Sequence, residues 1–236
     1  MTLQQSWTCR ARNQLLDNLK LVKIAERKEC WKLTIFGKLL FLLIVFLVIM
    51  ISSKQVYPFL AITERKSEEV MILEGWMPSF LVEQVADYYL SVDYDKLVIA
   101  RGLLQNVSTY ESGQFIAEYT KTRLIELGVP ENEIHIVYFA PKVKDRTYEA
   151  ASKSKEWLIE SRVDFASVDV VTLGAHARRS RLLYRRAFGS EYEVGVFSIQ
   201  GQSYDSDRWW EYSAGVREVP FEFIAYLYAK FLFRPN

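Results

Sequence analysis

The chain has 236 residues, half of them hydrophobic, which fits one ordinary domain beside a membrane segment rather than two domains. Its formal net charge is only +1, which argues against a nucleic-acid-binding domain. Both cysteines, Cys9 and Cys30, precede the main apolar segment, so the part of the chain after it has no disulfide of its own. A cysteine-free domain is compatible with an oxidising compartment.

The first feature along the chain is an apolar run near the N-terminus. Every residue from 39 to 51 is apolar, and residues 33–37 extend the run to spanning length if Lys38 reaches the interface with its ammonium group. A buried helix of a globular protein seldom lacks a polar face over such a length, and the long N-terminal extension argues against a cleaved signal peptide. The sequence predicts a transmembrane helix at residues 33–53, with the lipid bilayer as partner.

Basic residues are concentrated before this apolar run. The first 38 residues contain eight basic and three acidic residues, whereas only Lys54, Arg65 and Lys66 are basic between the run and Ser67. Positive charge is retained on the cytoplasmic side of a membrane. The sequence therefore predicts a single-pass protein of the inner (plasma) membrane, with a cytoplasmic segment at residues 1–32, a stalk at 54–68 and an extracytoplasmic domain at 69–236.

Beyond the stalk, short apolar runs alternate with longer segments of helical period. This alternation is typical of a Rossmann-like, three-layer α/β domain with a mainly parallel sheet of about five strands. Pro78 marks a helix start, and Gly128 with Pro130 marks a helix end. The predicted strands are residues 70–73, 97–100, 134–139, 168–173 and 194–199. The predicted helices are residues 79–90, 110–127, 147–161, 177–188 and an aromatic terminal helix, 209–233, packed across the sheet edge.

The candidate site follows from where the strands end. In open parallel sheets, ligands bind beyond the carboxyl ends of the strands, where glycines admit a ligand and helix N-termini favour phosphate or carboxylate. We expect one crevice in which His176 and Arg179 line a concave pocket above two glycines. The residues predicted to bind an anionic small molecule or a lipid-linked ligand are Gly75, Arg101, Gly102, Arg146, Thr147 and Arg179.

Three residues are candidates for catalysis. His176 follows the most apolar strand and would serve as general acid or base, while Glu74 or Glu149 would orient it or bind a cation. The arginines that follow His176 have two interpretations, a solvated helix surface or a clamp for an oxyanion. Two histidines and no cysteine in the domain make zinc improbable, so no metal site is predicted, and no cofactor is identified. His135, inside a predicted strand, is interpreted as structural.

Familiar catalytic fingerprints are missing from the sequence. It has no G-x-S-x-G elbow, no P-loop and no G-x-G-x-x-G turn. The usual hydrolase, nucleotide triphosphatase and dinucleotide-binding interpretations therefore lack their motif.

Four blocks of the sequence resemble the YdcF-like family, which includes the SanA and ElyC types of bacterial envelope protein. VMILEGW and LVIARG resemble its first two strands and their turns, and LGVPENEIHI resembles its Gly-Val-Pro before a strand. DRTYEA and VVTLGAHARRSRLLYRRAFG resemble its Asn-Thr-x-Glu-Asn and Val-Thr-Ser-x-x-His-x-x-Arg motifs, and they place Thr147, Glu149, His176 and Arg179 on matching positions. The chain departs from the family at Glu74, at Ala100 and Arg101, and at Arg146.

The resemblance implies a Rossmann-like domain on an N-terminal membrane helix, with a role in cell-envelope, peptidoglycan or lipid-carrier metabolism. An S-adenosylmethionine-binding role is also associated with the family. Three hypotheses stay open at this point. They are an enzyme acting on a phosphate-bearing ligand, a non-catalytic ligand-sensing or scaffold module, and an S-adenosylmethionine-binding protein, which conflicts with the predicted topology because that cofactor is intracellular. The sequence identifies no protein partner.

Overall fold

The computed structural model describes residues 25–27, 31–92, 94–103, 107–140 and 144–235. The chain divides into two units, residues 1–52 and 53–236. In the first, strands β1 (Ala25–Arg27) and β2 (Trp31–Leu33) pair in antiparallel fashion. Helix α1 (Ile35–Leu60) begins in this unit, and its last turns belong to the second. Most of the predicted cytoplasmic segment, residues 1–32, lies outside the described residues.

Within the described part of the chain, no helix meets the combined length and apolarity that a membrane crossing requires.

The second unit is built on a five-stranded sheet. The sheet order is β5-β4-β3-β6-β7, and every neighbouring pair is parallel. The predicted α/β class and parallel sheet are therefore confirmed. Strand β5 coincides with its predicted range, and the other four strands extend theirs by one or two residues, β4 at both ends. The strands are β3 (Val70–Glu74), β4 (Lys96–Gly102), β5 (Ile134–Phe139), β6 (Ser167–Leu173) and β7 (Glu193–Ile199).

The strands form where apolar residues run continuously because both faces of the sheet are covered. Every residue of β3 is buried, and its side chains alternate between two separate cores. Met71 and Leu73 pack into one core, whereas Val70 and Ile72 pack into the other. The sheet is therefore the middle of three layers.

Four helices form the outer layers. Helices α2 (Val82–Val92) and α3 (Val107–Glu126) contribute to the first core, and α4 (Arg146–Glu160) and α5 (Ala177–Phe188) contribute to the second. The predicted helix at residues 79–90 begins instead as a 3-10 turn at Ser79–Leu81.

The terminal helix α6 (Ser213–Phe231) differs from its prediction, because it packs on α5 and on the 3-10 turn Gly174–His176 rather than across the sheet edge. The free edge of β7 is occupied by residue Glu64, which forms an antiparallel bridge with Val196. An uncovered edge strand exposes unpaired backbone groups, so this bridge satisfies part of an edge that α6 leaves open.

The segment predicted as a stalk, residues 54–68, is folded against the domain. Tyr57 and Leu60, in the last turns of α1, are buried with Val219 and Tyr226 of α6. The compact unit accordingly begins at Ser53.

The sheet order places a topological switch between β3 and β6. The chain leaves β3 towards α2 on one face, and it leaves β6 towards α5 on the other. Diverging connections of this kind open a crevice at the carboxyl ends of the two strands. Glu74 ends β3, and the turn Gly174–His176 follows β6, so both lie at this point.

Candidate functional site

Glu74 is the most buried charged group at the switch point, with 2% of its surface exposed. One carboxylate oxygen accepts hydrogen bonds from the Thr172 hydroxyl and, at 3.1 Å, from the Trp76 indole nitrogen. The other oxygen accepts from the Ser180 hydroxyl at 3.0 Å. A buried carboxylate is tolerated only when such donors replace water. Glu74 is thus held in one orientation by residues of β6, α5 and its own turn.

His176 lies between two carboxylates. Its Nδ1 is 3.0 Å from Glu222 Oε1, and its Nε2 is 3.6 Å from Glu74 Oε2, which is longer than a hydrogen bond. The Trp76 ring meets the imidazole edge to face, with 5.0 Å between the ring centres. The histidine is 8% exposed, so it sits in the polar cluster at the strand ends and not in the apolar core.

Arg179 binds the same carboxylate as His176. Its Nε donates to Glu222 Oε2 at 2.9 Å and its Nη2 to Glu222 Oε1 at 3.1 Å, while Nη2 is also 2.8 Å from His176 Nδ1. An arginine can only donate, so the contact with Nδ1 requires a lone pair there and excludes a simultaneous Nδ1–H bond to Glu222. We assign the proton to Nδ1, because Glu222 lies 3.0 Å from it whereas Glu74 lies 3.6 Å from Nε2. In this tautomer the contact of Arg179 with Nδ1 is not a hydrogen bond, and Arg179 Nη2 also lies 3.5 Å from Nε2, which carries the lone pair.

The carboxylates of α6 differ in their acidity. Burial alone would raise the pKa of Glu222, but the hydrogen bonds and charges of His176 and Arg179 lower it from 4.5 to about 2. Burial raises the pKa of Glu218, one turn earlier, and the charge of Glu222 adds to this, although the Tyr204 hydroxyl donates to Glu218 at 2.8 Å. Glu222 is therefore ionised beside His176 over the whole physiological range.

Sequence reasoning missed Glu218 and Glu222. The available signal was their spacing of four residues within a helix made mostly of aromatic and apolar residues, which places both carboxylates on one face. That spacing marks a polar face, but it does not say which element the face meets. Here the face meets the turn that carries His176.

Arg101, at the end of β4, is half-buried beside the first turn. Its guanidinium donates to the Gly75 carbonyl oxygen, and its Nε is buried with no hydrogen-bond partner among the described residues. Burial lowers the pKa of Arg101, an effect partly opposed by Tyr138. None of the ion pairs of the described residues joins Arg101 to a carboxylate. It is a cation whose charge the described part of the fold leaves uncompensated.

The two predicted glycines serve close packing of the sheet. A Cβ at Gly75 would lie 2.7 Å from the Ala100 carbonyl oxygen, and one at Gly102 would lie 2.7 Å from the Phe139 ring. The Gly75 amide donates to Ala100 O at 2.9 Å. Gly75 therefore requires glycine for the fold itself, and its amide is already used, whereas a side chain at Gly102 would have to displace the Phe139 ring.

The remaining predicted residues lie in the first turn of α4. Arg146 is exposed, and Thr147 and Glu149 are half-buried. The Glu149 amide donates to the Asp145 carbonyl oxygen at 3.0 Å as part of the helix start. The structure places these residues at the same sheet edge as His176, but the hydrogen bonds of the described residues around His176 do not include their side chains.

Neighbouring arginines of α5 bind the last turn of α1 and the segment that follows it. Arg178 donates to the Phe59 carbonyl oxygen and lies over the Phe59 ring, 4.1 Å from its centre. Arg181 forms a bidentate pair with Glu64, with distances of 2.7 and 2.8 Å. The sequence left two interpretations of this basic cluster, a solvated surface and an oxyanion clamp. Neither describes Arg178 and Arg181, because both arginines bind other residues of the protein itself.

His135 lies in β5 with its ring 4.7 Å from the Trp157 ring, so its contacts are those of packing. Burial lowers its pKa, and Lys96 and Lys121 add to this. Among the residues that the structure describes, no three acidic, histidine or cysteine side chains are grouped to hold a metal ion.

No protein-family model matches the chain, and no curated protein matches it. The resemblance to the YdcF-like family rests on the sequence blocks alone and stays a prediction.

Proposed function

We propose that the chain is a membrane-anchored, YdcF-like protein of the bacterial cell envelope that binds a phosphate-bearing ligand between His176 and Arg101 and transfers a proton to or from it. One observation carries the proposal. His176 sits at the switch point with Nδ1 held by Glu222 at 3.0 Å and with Nε2 reached only by long contacts, 3.5 Å from Arg179 Nη2 and 3.6 Å from Glu74. A general acid or base needs this combination of a fixed orientation and one nitrogen that no short hydrogen bond occupies.

The surrounding residues support His176 in different ways. Glu222 fixes the tautomer, and Glu74 is placed to stabilise the positive charge that the ring gains when Nε2 takes a proton. Arg179 is occupied by both oxygens of Glu222, so it positions that carboxylate instead of clamping a ligand. Of the two arginines expected to hold the ligand's negative charge, Arg101 keeps that role in the proposal and Arg179 does not.

The charges around His176 and Arg101 determine how a phosphate-bearing ligand would be oriented in the site. Glu74 and Glu222 flank His176, so a second negative group beside the ring would be repelled. Arg101 lies across the turn at Gly75 and has an uncompensated charge among the described residues. We therefore expect the phosphate to bind at Arg101 and the group that exchanges a proton to lie at His176 Nε2.

The anchor is supported by the sequence and by exposure along α1. Large apolar side chains from Ile35 to Leu47 are exposed, including Ile35 at 71% and Leu42 at 61%. In water a helix of this composition would expose an apolar surface with no compensating polar face. A bilayer around residues 33–53 removes that cost.

The second candidate function is a non-catalytic sensing or scaffold module. It is favoured by the closure of the network, because Glu74, Glu222 and Arg179 all have hydrogen-bond partners within the protein. A cluster that satisfies itself can stabilise the fold without reacting. No contact in the cluster favours the S-adenosylmethionine alternative.

Thermal unfolding of the full chain in nonionic detergent tests binding, with inorganic phosphate, a nucleotide sugar and a polyprenyl phosphate as probes. A probe at one hundred times its dissociation constant should stabilise the fold by about 3 kcal/mol, raising the midpoint by about 6–10 °C. Arg101→Gln should abolish that rise, whereas Arg185→Gln, a change at an exposed position of α5, should preserve it.

Turnover separates the two candidate functions. If the protein is an enzyme, His176→Gln should still bind the stabilising probe but should lose product formation measured by mass spectrometry. If it is a scaffold, His176→Gln should restore growth of a deletion strain as well as the wild type does. The binding proposal would be refuted if no probe raised the unfolding midpoint of the wild type and if Arg101→Gln restored growth of the deletion strain as well as the wild type does.

A further inference from the structure

Trp76 differs from the other described neighbours of His176 because it is half-exposed. Its ring meets the imidazole edge to face, with 5.0 Å between the ring centres, and its indole nitrogen donates to Glu74 at 3.1 Å. Trp76 is 48% exposed, whereas Glu74 is 2% exposed. The side chains of Glu222 and Arg179 are 18% and 19% exposed. A molecule that approaches the imidazole from solvent therefore meets the indole.

The exposed part of Trp76 is an apolar ring held in one orientation. The indole N–H, the only polar group of the side chain, already donates to Glu74, so it is not available to a ligand. A tryptophan exposed by about half presents roughly 100 Å² of ring surface. The hydrogen bond to Glu74 and the contact with His176 fix this surface in advance, so a ligand that covers it orders little. Trp76 is thus suited to bind the apolar face of a ring.

The position proposed for the phosphate lies beside this indole. The guanidinium of Arg101 donates to the Gly75 carbonyl oxygen, and that carbonyl belongs to the peptide bond leading into Trp76. Consecutive Cα atoms are about 3.8 Å apart, so Arg101 contacts the turn within one residue of the indole. A ligand that uses both Arg101 and Trp76 therefore carries its ring close to its phosphate.

The groups around His176 restrict the chemical nature of this ring. Nε2 is the nitrogen proposed to exchange a proton, so a ring on Trp76 must carry a group that can gain or lose one. The ring must not be anionic, because Glu74 and Glu222 flank the site. A sugar ring meets both conditions, with an apolar C–H face and with oxygens around its rim. A purine or pyrimidine base fits less well, because a ribose separates it from its 5′-phosphate.

We propose that Trp76 is the platform for a sugar ring that carries the phosphate bound at Arg101, so the ligand of the site is a sugar phosphate. The inference rests on the proposed function, from which it takes the position of the phosphate. A bare polyprenyl phosphate is then not the preferred ligand, because its acyclic chain has no ring face to lay on the indole. A lipid-linked sugar fits, since its sugar ring is joined directly to a phosphate.

The test compares two variants that differ in whether an aromatic ring is kept. Trp76→Phe and Trp76→Leu both lose the hydrogen bond to Glu74, but only phenylalanine retains a ring face. Titration calorimetry of the full chain in nonionic detergent measures affinities for glucose 1-phosphate, for glycerol 3-phosphate, which has no ring, and for adenosine 5′-monophosphate. Tyr228→Leu is the matched control, because Tyr228 is 45% exposed on the side of α6 opposite the buried Val219.

We expect the wild type to bind glucose 1-phosphate about tenfold more tightly than glycerol 3-phosphate, because only the sugar covers the indole. Trp76→Phe should keep most of this preference. Trp76→Leu should lose it, while its affinity for glycerol 3-phosphate should stay within about twofold of the wild type, because that probe binds through Arg101 alone. Tyr228→Leu should match the wild type with every probe.

The inference and the proposed function can fail separately. Equal wild-type affinities for glucose 1-phosphate and glycerol 3-phosphate would overturn the inference and leave the phosphate site intact. Loss of the preference in both Trp76 variants would also overturn it, by assigning Trp76 to the support of Glu74. A Trp76-dependent preference for adenosine 5′-monophosphate over glucose 1-phosphate would overturn the assignment of a sugar. If none of the three probes binds the wild type, the inference falls together with the proposed phosphate site.

Discussion

Replacing Glu222 by glutamine removes the charge that joins α6 to the His176 turn. The variant Glu222→Gln retains one oxygen that can accept a hydrogen bond from His176 or Arg179, but it loses the bidentate ion pair with Arg179. The side chain of Arg179 is 19% exposed, and its guanidinium would be left without its counter-charge. Removing one partner of such a pair costs more than the pair itself contributes, because the other charge stays desolvated.

The acidity of Glu222 sets the size of the effect. Lowering the pKa of this carboxyl from 4.5 to about 2 corresponds to about 3 kcal/mol in favour of the ionised folded state. The side chain is only 18% exposed, so solvent screens little of this. Since glutamine recovers one hydrogen bond, we expect a loss of about 2 kcal/mol, or about 4–8 °C in the unfolding midpoint.

The loss of stability caused by Glu222→Gln must also depend on pH, and the pKa shift of Glu222 sets the sign of that dependence. The folded-state pKa lies below the unfolded value, so the stabilisation is complete above a pH of about 4.5 and is lost as the pH falls towards 2. The difference between the wild type and Glu222→Gln should therefore be largest at neutral pH and should shrink near a pH of about 3.

Near-ultraviolet circular dichroism during heating, with the full chain in nonionic detergent, measures this difference at both pH values. The control is Glu156→Gln, because Glu156 on α4 pairs with Lys153 but is 49% exposed. A surface pair of this kind should change stability by no more than about 0.5 kcal/mol. Equal midpoints for Glu222→Gln and the wild type at neutral pH, or a difference that persists on acidification, would refute the reasoning.

Three further predictions concern the frame of the site. Gly195→Ala places a Cβ 1.8 Å from Asp169 Oδ1 and 2.6 Å from the Lys66 amide, so it should cost at least about 2 kcal/mol in thermal unfolding, whereas Gly201→Ala, whose Cβ would lie in ordinary contact 3.4 Å from the Leu173 side chain, should change stability by no more than about 0.5 kcal/mol. Burial raises the pKa of Asp169, so its ionisation lowers stability as the pH rises above 3.8; denaturant titrations of Asp169→Asn should show a smaller decline over that range. Arg186 donates to the carbonyl oxygens of Ala229, Lys230 and Phe233, so Arg186→Ala should speed amide hydrogen exchange at the end of α6, while Arg185→Ala should not.

The secondary structure could be predicted because its signals are local. A strand covered on both faces must be apolar at successive positions, and residues 134–139 and 168–173 show this without reference to any other part of the chain. The placement of Glu74 and His176 at one sheet edge also followed, because parallel strands direct their carboxyl ends the same way.

The partners of His176 could not be predicted in this way. Glu222 is separated from His176 in the chain by the whole of α5 and β7 and by the start of α6, and its contact depends on α6 packing on α5 instead of on the sheet edge. The same packing changes the role of Arg179, whose charge is taken up by Glu222. Local pattern shows that a helix has a polar face, but only packing decides what the face meets.

The sequence by itself determined the α/β class, the positions of the five strands and the set of polar residues at their ends, because these depend on apolar periodicity and turn residues within short windows. It also supplies the apolar run and the charge asymmetry from which the anchor is proposed. Only the tertiary structure decided the sheet order, the switch point between β3 and β6, and the pairing of His176 with Glu222. These depend on contacts between residues far apart in the chain, whose free energies no local pattern contains.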